Sequence, residues 1–198
     1  MFAYLQGKIS YKSPTEVYLD VNGVGYHLLI SLNTFSEIEN LEETKLYTHL
    51  YVREDVMSLF GFSREMEKVM FLHLLSVSGI GPNTARVVLS SMTTEEVNQA
   101  ILHENVAAFN KVKGIGPKTA KRLILDLKDK MAKLETSGQA DFKGAAPSYS
   151  NRDEVISALM SLGFNKQKVS KKVDDIMSSN PNLIQVEEII KEVLKQIS

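Results

Sequence analysis

The 198-residue chain contains no cysteine. That absence excludes a disulfide framework, a thiolate zinc site and a cysteine-ligated iron–sulfur cluster. Long apolar runs are missing as well. The most apolar windows, such as VMFLHLL over 69–75, are far too short to cross a bilayer. The first residues, MFAYLQGKISYK, carry no charged leader followed by an apolar block, so no signal peptide is expected. These gaps point to a protein of a reducing cytoplasm with no membrane partner. His27, His49, His73 and His103 are scattered without ligand spacing and read as structural residues. No Ser–His–Asp set can be assembled, and neither a metal nor a cofactor is expected.

Neither sign of charge prevails overall, since the net charge is −1, but charge is unevenly placed. Residues 1–63 hold four Lys/Arg against eight Asp/Glu; residues 64–134 hold eleven against seven; residues 135–198 hold eight against nine. A basic middle segment can bind an anionic polymer locally in a chain that is not basic as a whole.

Hydropathy divides the chain into four parts. Residues 1–63 read as β: EVYLDV (16–21) alternates, Asn22-Gly23 offers a turn into GYHLLI (25–30), and KLYTHLYV and VMSLFGF flank a Glu54-Asp55 tip. Short strands packed into so few residues predict a small β-barrel, of which an OB-like form is one option that composition alone does not choose. Residues 64–134 read as α, with Val69, Leu72 and Leu75, then Val87, Val88 and Met92, at helical spacing. Residues 135–150, ETSGQADFKGAAPSYS, read as a flexible linker. Residues 151–198 carry three helical stripes: Val155, Ile156, Leu159 and Met160; Val169, Val173, Ile176 and Met177; Val186, Ile189, Ile190, Val193 and Ile197. They predict a three-helix bundle. The fold class is therefore α+β and multidomain.

One repeat carries the functional argument. VSGIGPNTA (77–85) returns as VKGIGPKTA (112–120), 35 residues later. Proline suits the first turn of a helix, where its missing N–H is not needed. Gly81 and Gly116 then become the cap residues. A Ser or Asp cap would occupy the next N–H groups, and glycine leaves them open. The N–H groups of Asn83, Thr84, Lys118 and Thr119 would thus face outward at the positive end of a helix dipole, a setting that suits phosphate. Lys111, Lys113, Lys118, Lys121 and Arg122 surround the second copy, whereas the first has Asn83 and Arg86. A P-loop is excluded, because Pro117 rather than glycine precedes Lys118. A dinucleotide fingerprint is excluded by the missing third glycine and βαβ unit.

The paired GIGP loops resemble helix-hairpin-helix DNA-binding elements. Together with GVGY (23–26), YVRED (51–55), LFGF (59–62) and the order of the parts, the chain resembles the RuvA family. That resemblance implies a homotetramer, one or two per junction, that holds Holliday junction DNA open and square-planar through backbone contacts. It implies recruitment of the RuvB hexameric ATPase for branch migration in recombination and DNA repair, with the RuvC resolvase as a further partner. The chain would be a non-catalytic subunit of a helicase complex in the bacterial cytoplasm. The DNA contacts would be Gly79, Gly81, Asn83, Thr84 and Arg86 in the first hairpin. In the second they would be Gly114, Gly116, Lys118, Thr119, Lys121 and Arg122. Glu54 and Asp55 would form an acidic pin at the crossover, and Met160, Leu162 and Phe164 would face the motor. Two other readings stand beside it. A helix-hairpin-helix glycosylase or nuclease needs a base pocket with a nucleophile or general base. A single-strand-binding OB protein needs exposed aromatics, for which Tyr18, Tyr47, Tyr51 and Phe60 are the candidates, although strand positions favour core or subunit contacts.

Overall fold

The computed structural model describes residues 2–136, 151–179 and 185–197. It divides into two compact units, Met1–Met131 and Ala132–Ser198. In the first, strands β1 (Tyr4–Ser13), β2 (Glu16–Val21), β3 (Val24–Leu29), β4 (Glu43–Val52) and β5 (Met57–Phe62) close a barrel in the order β1-β2-β3-β5-β4. Alternation sends Val17 and Leu19 inward to meet Leu5, Leu28, Ile30 and Leu46, while Tyr18 faces out. The expected Asn22-Gly23 turn is present, with both residues at positive φ. The β1–β2 register shifts between Ile9 and Tyr11. This irregularity helps one long strand coil, so that it pairs with β2 on one side and β4 on the other.

The N-terminal part is not purely β. Helix α1 (Leu32–Ile38) lies between β3 and β4, capped by Ser31. Seven residues give too few turns for a 3.6-residue period to stand out. The helical part follows as α2 (Glu65–Leu75), α3 (Pro82–Ser91), α4 (Thr94–Leu102), α5 (Val106–Asn110) and α6 (Pro117–Thr136). Helix α6 thus runs two residues into the expected linker, and the rest of that linker, 137–150, lies outside the described residues.

The barrel and the helices share a packed seam. Buried Phe71 of α2 sits 5.0 Å, centroid to centroid, from both Phe60 and Phe62 of β5. Each such ring contributes on the order of 1.5–3 kcal/mol through burial. Beside this cluster lies a buried carboxylate. Glu67 accepts from the hydroxyls of Ser31 and of Thr34, the latter at 2.6 Å. Those hydroxyls in turn accept from the N–H of Thr34 (3.0 Å) and of Ser63 (3.1 Å). Asn33 donates through Nδ2 to the carbonyls of Leu89 (2.7 Å) and Met92 (3.0 Å), closing the free end of α3.

In the second unit, α7 (Asn151–Ser161), α8 (Lys166–Ser179) and α9 (Val186–Ile197) pack around Val155, Ile156, Leu159, Val169, Val173, Ile176, Ile189 and Val193. Arg152 joins α7 to α8 by a two-pronged contact with Asp174, at 2.6 and 3.0 Å. Met160, placed in the first stripe by its spacing, points outward instead. Of the third stripe, the Ile197 side chain lies outside the described residues.

Burial pushes the Glu67 carboxyl above its ordinary value, outweighing the two hydroxyls that favour its ionised form. Folding therefore favours the protonated acid more than water does. Its contribution to stability is full below the ordinary value of 4.5 and is lost as pH rises through the raised one. Glu67→Gln is expected to remove that pH dependence in thermal melts. Glu67→Ala is expected to cost about 2–3 kcal/mol at neutral pH, because two buried hydroxyls lose their acceptor.

Candidate nucleic-acid interface

The repeat is reproduced bond for bond. In the first copy Ile80 N–H donates to Val77 O at 3.1 Å and Ala85 N–H to Gly81 O at 2.9 Å. In the second, Ile115 N–H donates to Val112 O at 3.1 Å and Ala120 N–H to Gly116 O at 2.9 Å. Val77, Ile80, Ala85 and Val88 are buried, as are their counterparts Val112, Ile115, Ala120 and Leu123. Each loop is therefore held from below by its apolar residues, while its glycines look outward.

Two glycines per loop serve different needs. Gly79 and Gly114 adopt φ of +92° and +93°, a left-handed conformation that reverses the chain where a side chain would be strained. Gly81 caps α3 with φ −90° and ψ 172°, Pro82 follows it in the first turn, and no side chain closes the helix start. Gly116 stands in the same place before Pro117. A Cβ built on Gly81 or Gly116 would meet nothing within 4 Å. Both helix starts are thus open to an approaching anion, as their repeat predicts. They are also neighbours, since a Cβ on Gly114 would lie 3.9 Å from the hydroxyl of Thr84.

The two starts differ in charge. Around the second, Lys111, Lys113, Lys118 and Lys121 are exposed. Arg122 is exposed too and has Asp126 at 3.6 Å, one turn along α6. Lys128 pairs with Glu104, and Lys130 donates to the Ser76 hydroxyl. At the first, Asn83 is exposed and neutral. Arg86 turns one nitrogen toward the barrel. Its Nη1 donates to the carbonyl of Thr15 at 2.8 Å and reaches that of Ile30 at 3.5 Å. That nitrogen is engaged with the barrel, where the Thr15 carbonyl also accepts from the Ile30 N–H at 3.1 Å. Helix spacing places Arg86 one turn into α3 but says nothing of which way its long side chain folds. Asn33, Ser31, Thr34 and Glu67, which set the hairpins against the barrel, gave no sequence signal: each is a common polar residue whose partner lies far along the chain.

Glu54 and Asp55 stand exposed at the tip of the β4–β5 hairpin, closed by Arg53 N–H donating to Val56 O at 2.8 Å. On one flank the Arg53 guanidinium lies 5.4 Å from the centre of the Tyr51 ring. In the second unit Met160 and Leu162 are exposed, but Phe164 packs against the bundle core. Phe164 is partly buried there. Among the strand aromatics, Phe60 is core, whereas Tyr18 is exposed beside Tyr11 and His27, with ring centroids 4.9 Å from each.

Among the described residues no group of three or more His, Cys, Asp or Glu could hold a metal, and no helix is long and apolar enough to cross a membrane. The groove beside α4 is lined by Glu95, Glu96, Gln99 and His103. Glu96 there serves the capping box of α4, and His103 Nδ1 lies 2.9 Å from Gln99 O.

Comparison with known proteins agrees with this architecture. Family models for the RuvA N-terminal domain, a SAM-like helix-hairpin-helix tandem and the RuvA C-terminal domain match residues 1–61, 71–129 and 150–198. A Holliday junction branch migration complex subunit RuvA from Cytophaga hutchinsonii is 49% identical over 98% of this chain and 99% of its own. Those from Flavobacterium psychrophilum and Christiangramia forsetii are 45% and 44% identical over the full length of both chains. A barrel joined to a duplicated hairpin, flanked by family-specific matches and shared end to end with these relatives, makes the chain a member of the RuvA family.

Proposed function

We propose that this protein binds four-way DNA junctions through the sugar-phosphate backbone and serves as the DNA-holding subunit of a branch migration complex. The observation that carries this reading is the pair of open, neighbouring helix starts, with lysines gathered at one of them. Backbone N–H groups and the helix dipole suit phosphate and carry no base information, so binding is sequence-independent. The acidic tip supplies shape selectivity. A continuous duplex crossing it would bring phosphates against Glu54 and Asp55, an unfavourable contact between like charges. At a junction the strands part there, and the tips help keep them apart.

The protein acts as a homotetramer, one or two per junction, in the bacterial cytoplasm, and has no catalytic site of its own. The three-helix bundle engages the hexameric motor RuvB through its exposed Met160 and Leu162, and RuvC cuts the held junction. The relatives' shared name, which places them in a branch migration complex, supports this assignment. A repair enzyme is disfavoured, because in the α4 groove Glu96 is held by the helix cap and His103 Nδ1 lies against the Gln99 carbonyl.

Gel shifts comparing four-way, duplex and single-stranded DNA test the reading, and preference for the junction is expected. Gly81→Ala with Gly116→Ala separates folding from binding. The added methyls meet no protein atom, so stability is expected to fall by only about 1 kcal/mol or less. Junction affinity is expected to fall about tenfold as the amides are screened. Unchanged affinity would remove the amides from the interface. Lys118→Gln with Lys121→Gln is expected to lower the slope of log affinity against log salt by about 2, near 0.9 for each lost contact. Glu54→Gln with Asp55→Asn is expected to raise affinity for plain duplex relative to junction, read in the same gel shifts.

A further inference from the structure

The β4–β5 hairpin outruns the barrel that it helps to build. On β4 the face that sends Leu46 into the core continues through Leu50 and reaches Val52. Across the ladder, Leu50 pairs with Leu59 and Val52 with Met57, which extends the same stripe on β5. Leu59 packs against the barrel core. One pair further out, the core has ended: Val52 is 61% and Met57 77% exposed. The fold therefore continues an apolar stripe past the point where the described residues of this unit set anything against it. The tip carboxylates begin two residues away on each strand.

That neighbourhood restricts what can cover the pair. A phosphate backbone would be repelled by Glu54 and Asp55 at the same range. A second copy of this hairpin would bring its own two carboxylates with it. The fitting occupant is flat, apolar and uncharged. At an open junction that description belongs to the face of the last base pair of an arm, which has lost its stacking neighbour. We infer that Val52 and Met57 form a platform that covers this exposed face, the thioether lying against the aromatic base and the valine beside it. The tip turns phosphates aside, and the pair behind it offers the unstacked bases a surface. The inference rests on the junction-binding function proposed above.

Fluorescence of 2-aminopurine placed in the base pair next to the branch point tests it, with full-length protein at concentrations shown by gel shift to saturate the junction. Binding by the unaltered protein is expected to raise the emission as the base leaves its stack. Val52→Thr with Met57→Gln is expected to reduce that rise by about half or more, and Met57→Gln alone to reduce it in part. Val52→Ile with Met57→Leu, which keeps the surface apolar, is expected to retain it. An equal rise in the polar double variant would overturn the inference. So would a smaller DNA-free assembly of that variant in analytical ultracentrifugation, which would mean that the pair packs copies together. If the unaltered protein shows no preference for the junction over duplex in the gel shift, the underlying function fails as well. That outcome is read independently of the fluorescence.

Discussion

The geometry of this protein depends on how firmly the helices are tied to the barrel. A small barrel and a pair of hairpins packed only through greasy contacts could slide past one another, since dispersion and burial are not directional. Here the seam contains directional bonds. Glu67 collects two hydroxyls of the barrel side, Asn33 closes the end of α3, and Arg86 reaches back to carbonyls at the strand ends. Within this unit, these bonds fix where the open helix starts stand relative to the acidic tip. A reader of DNA shape requires that relation, because its selectivity lies in distances between groups rather than in any one of them.

The cost of this arrangement is visible in Glu67. Carboxylates are rarely buried without a cationic partner in contact; this one is hydrogen-bonded by two hydroxyls, with Arg64 acting only from a distance, and burial raises its pKa. Buried polar networks exchange some stability for a defined arrangement when every member is satisfied. The backbone N–H groups that feed the two hydroxyls complete the chain of donors, so the network closes without an orphan.

Much of the fold can be read from local pattern. Strand alternation, the Asn22-Gly23 turn and the helical stripes of the bundle all arise from contacts within or between adjacent elements, and these leave a periodic trace. The glycine–proline helix starts were legible for the same reason: cap, first turn and open amides occur within six residues. What escaped was either short or long-range. Helix α1 has no room for a period. Arg86 is visible as a cation near the site, but whether it faces DNA or barrel depends on Thr15 and Ile30, dozens of residues away. Phe164 packs against the bundle core, a tertiary outcome that local pattern does not show. The exposed Val52–Met57 pair was hidden for the opposite reason. In sequence it continues an ordinary strand, and only the barrel's length shows that the core stops short of it.

With one Arg86 nitrogen turned to the barrel and Asn83 neutral, the two halves of the duplicated motif would, on the function proposed above, hold a phosphate by different forces. The first works through dipoles, which act over a few ångströms and vanish once a phosphate moves off. The second adds full charges, which still attract at the spacing between successive phosphates. A duplex drawn along this surface would meet low friction at one contact and a continuous tether at the other. On that function, such a pairing would let a strand advance step by step without leaving the protein.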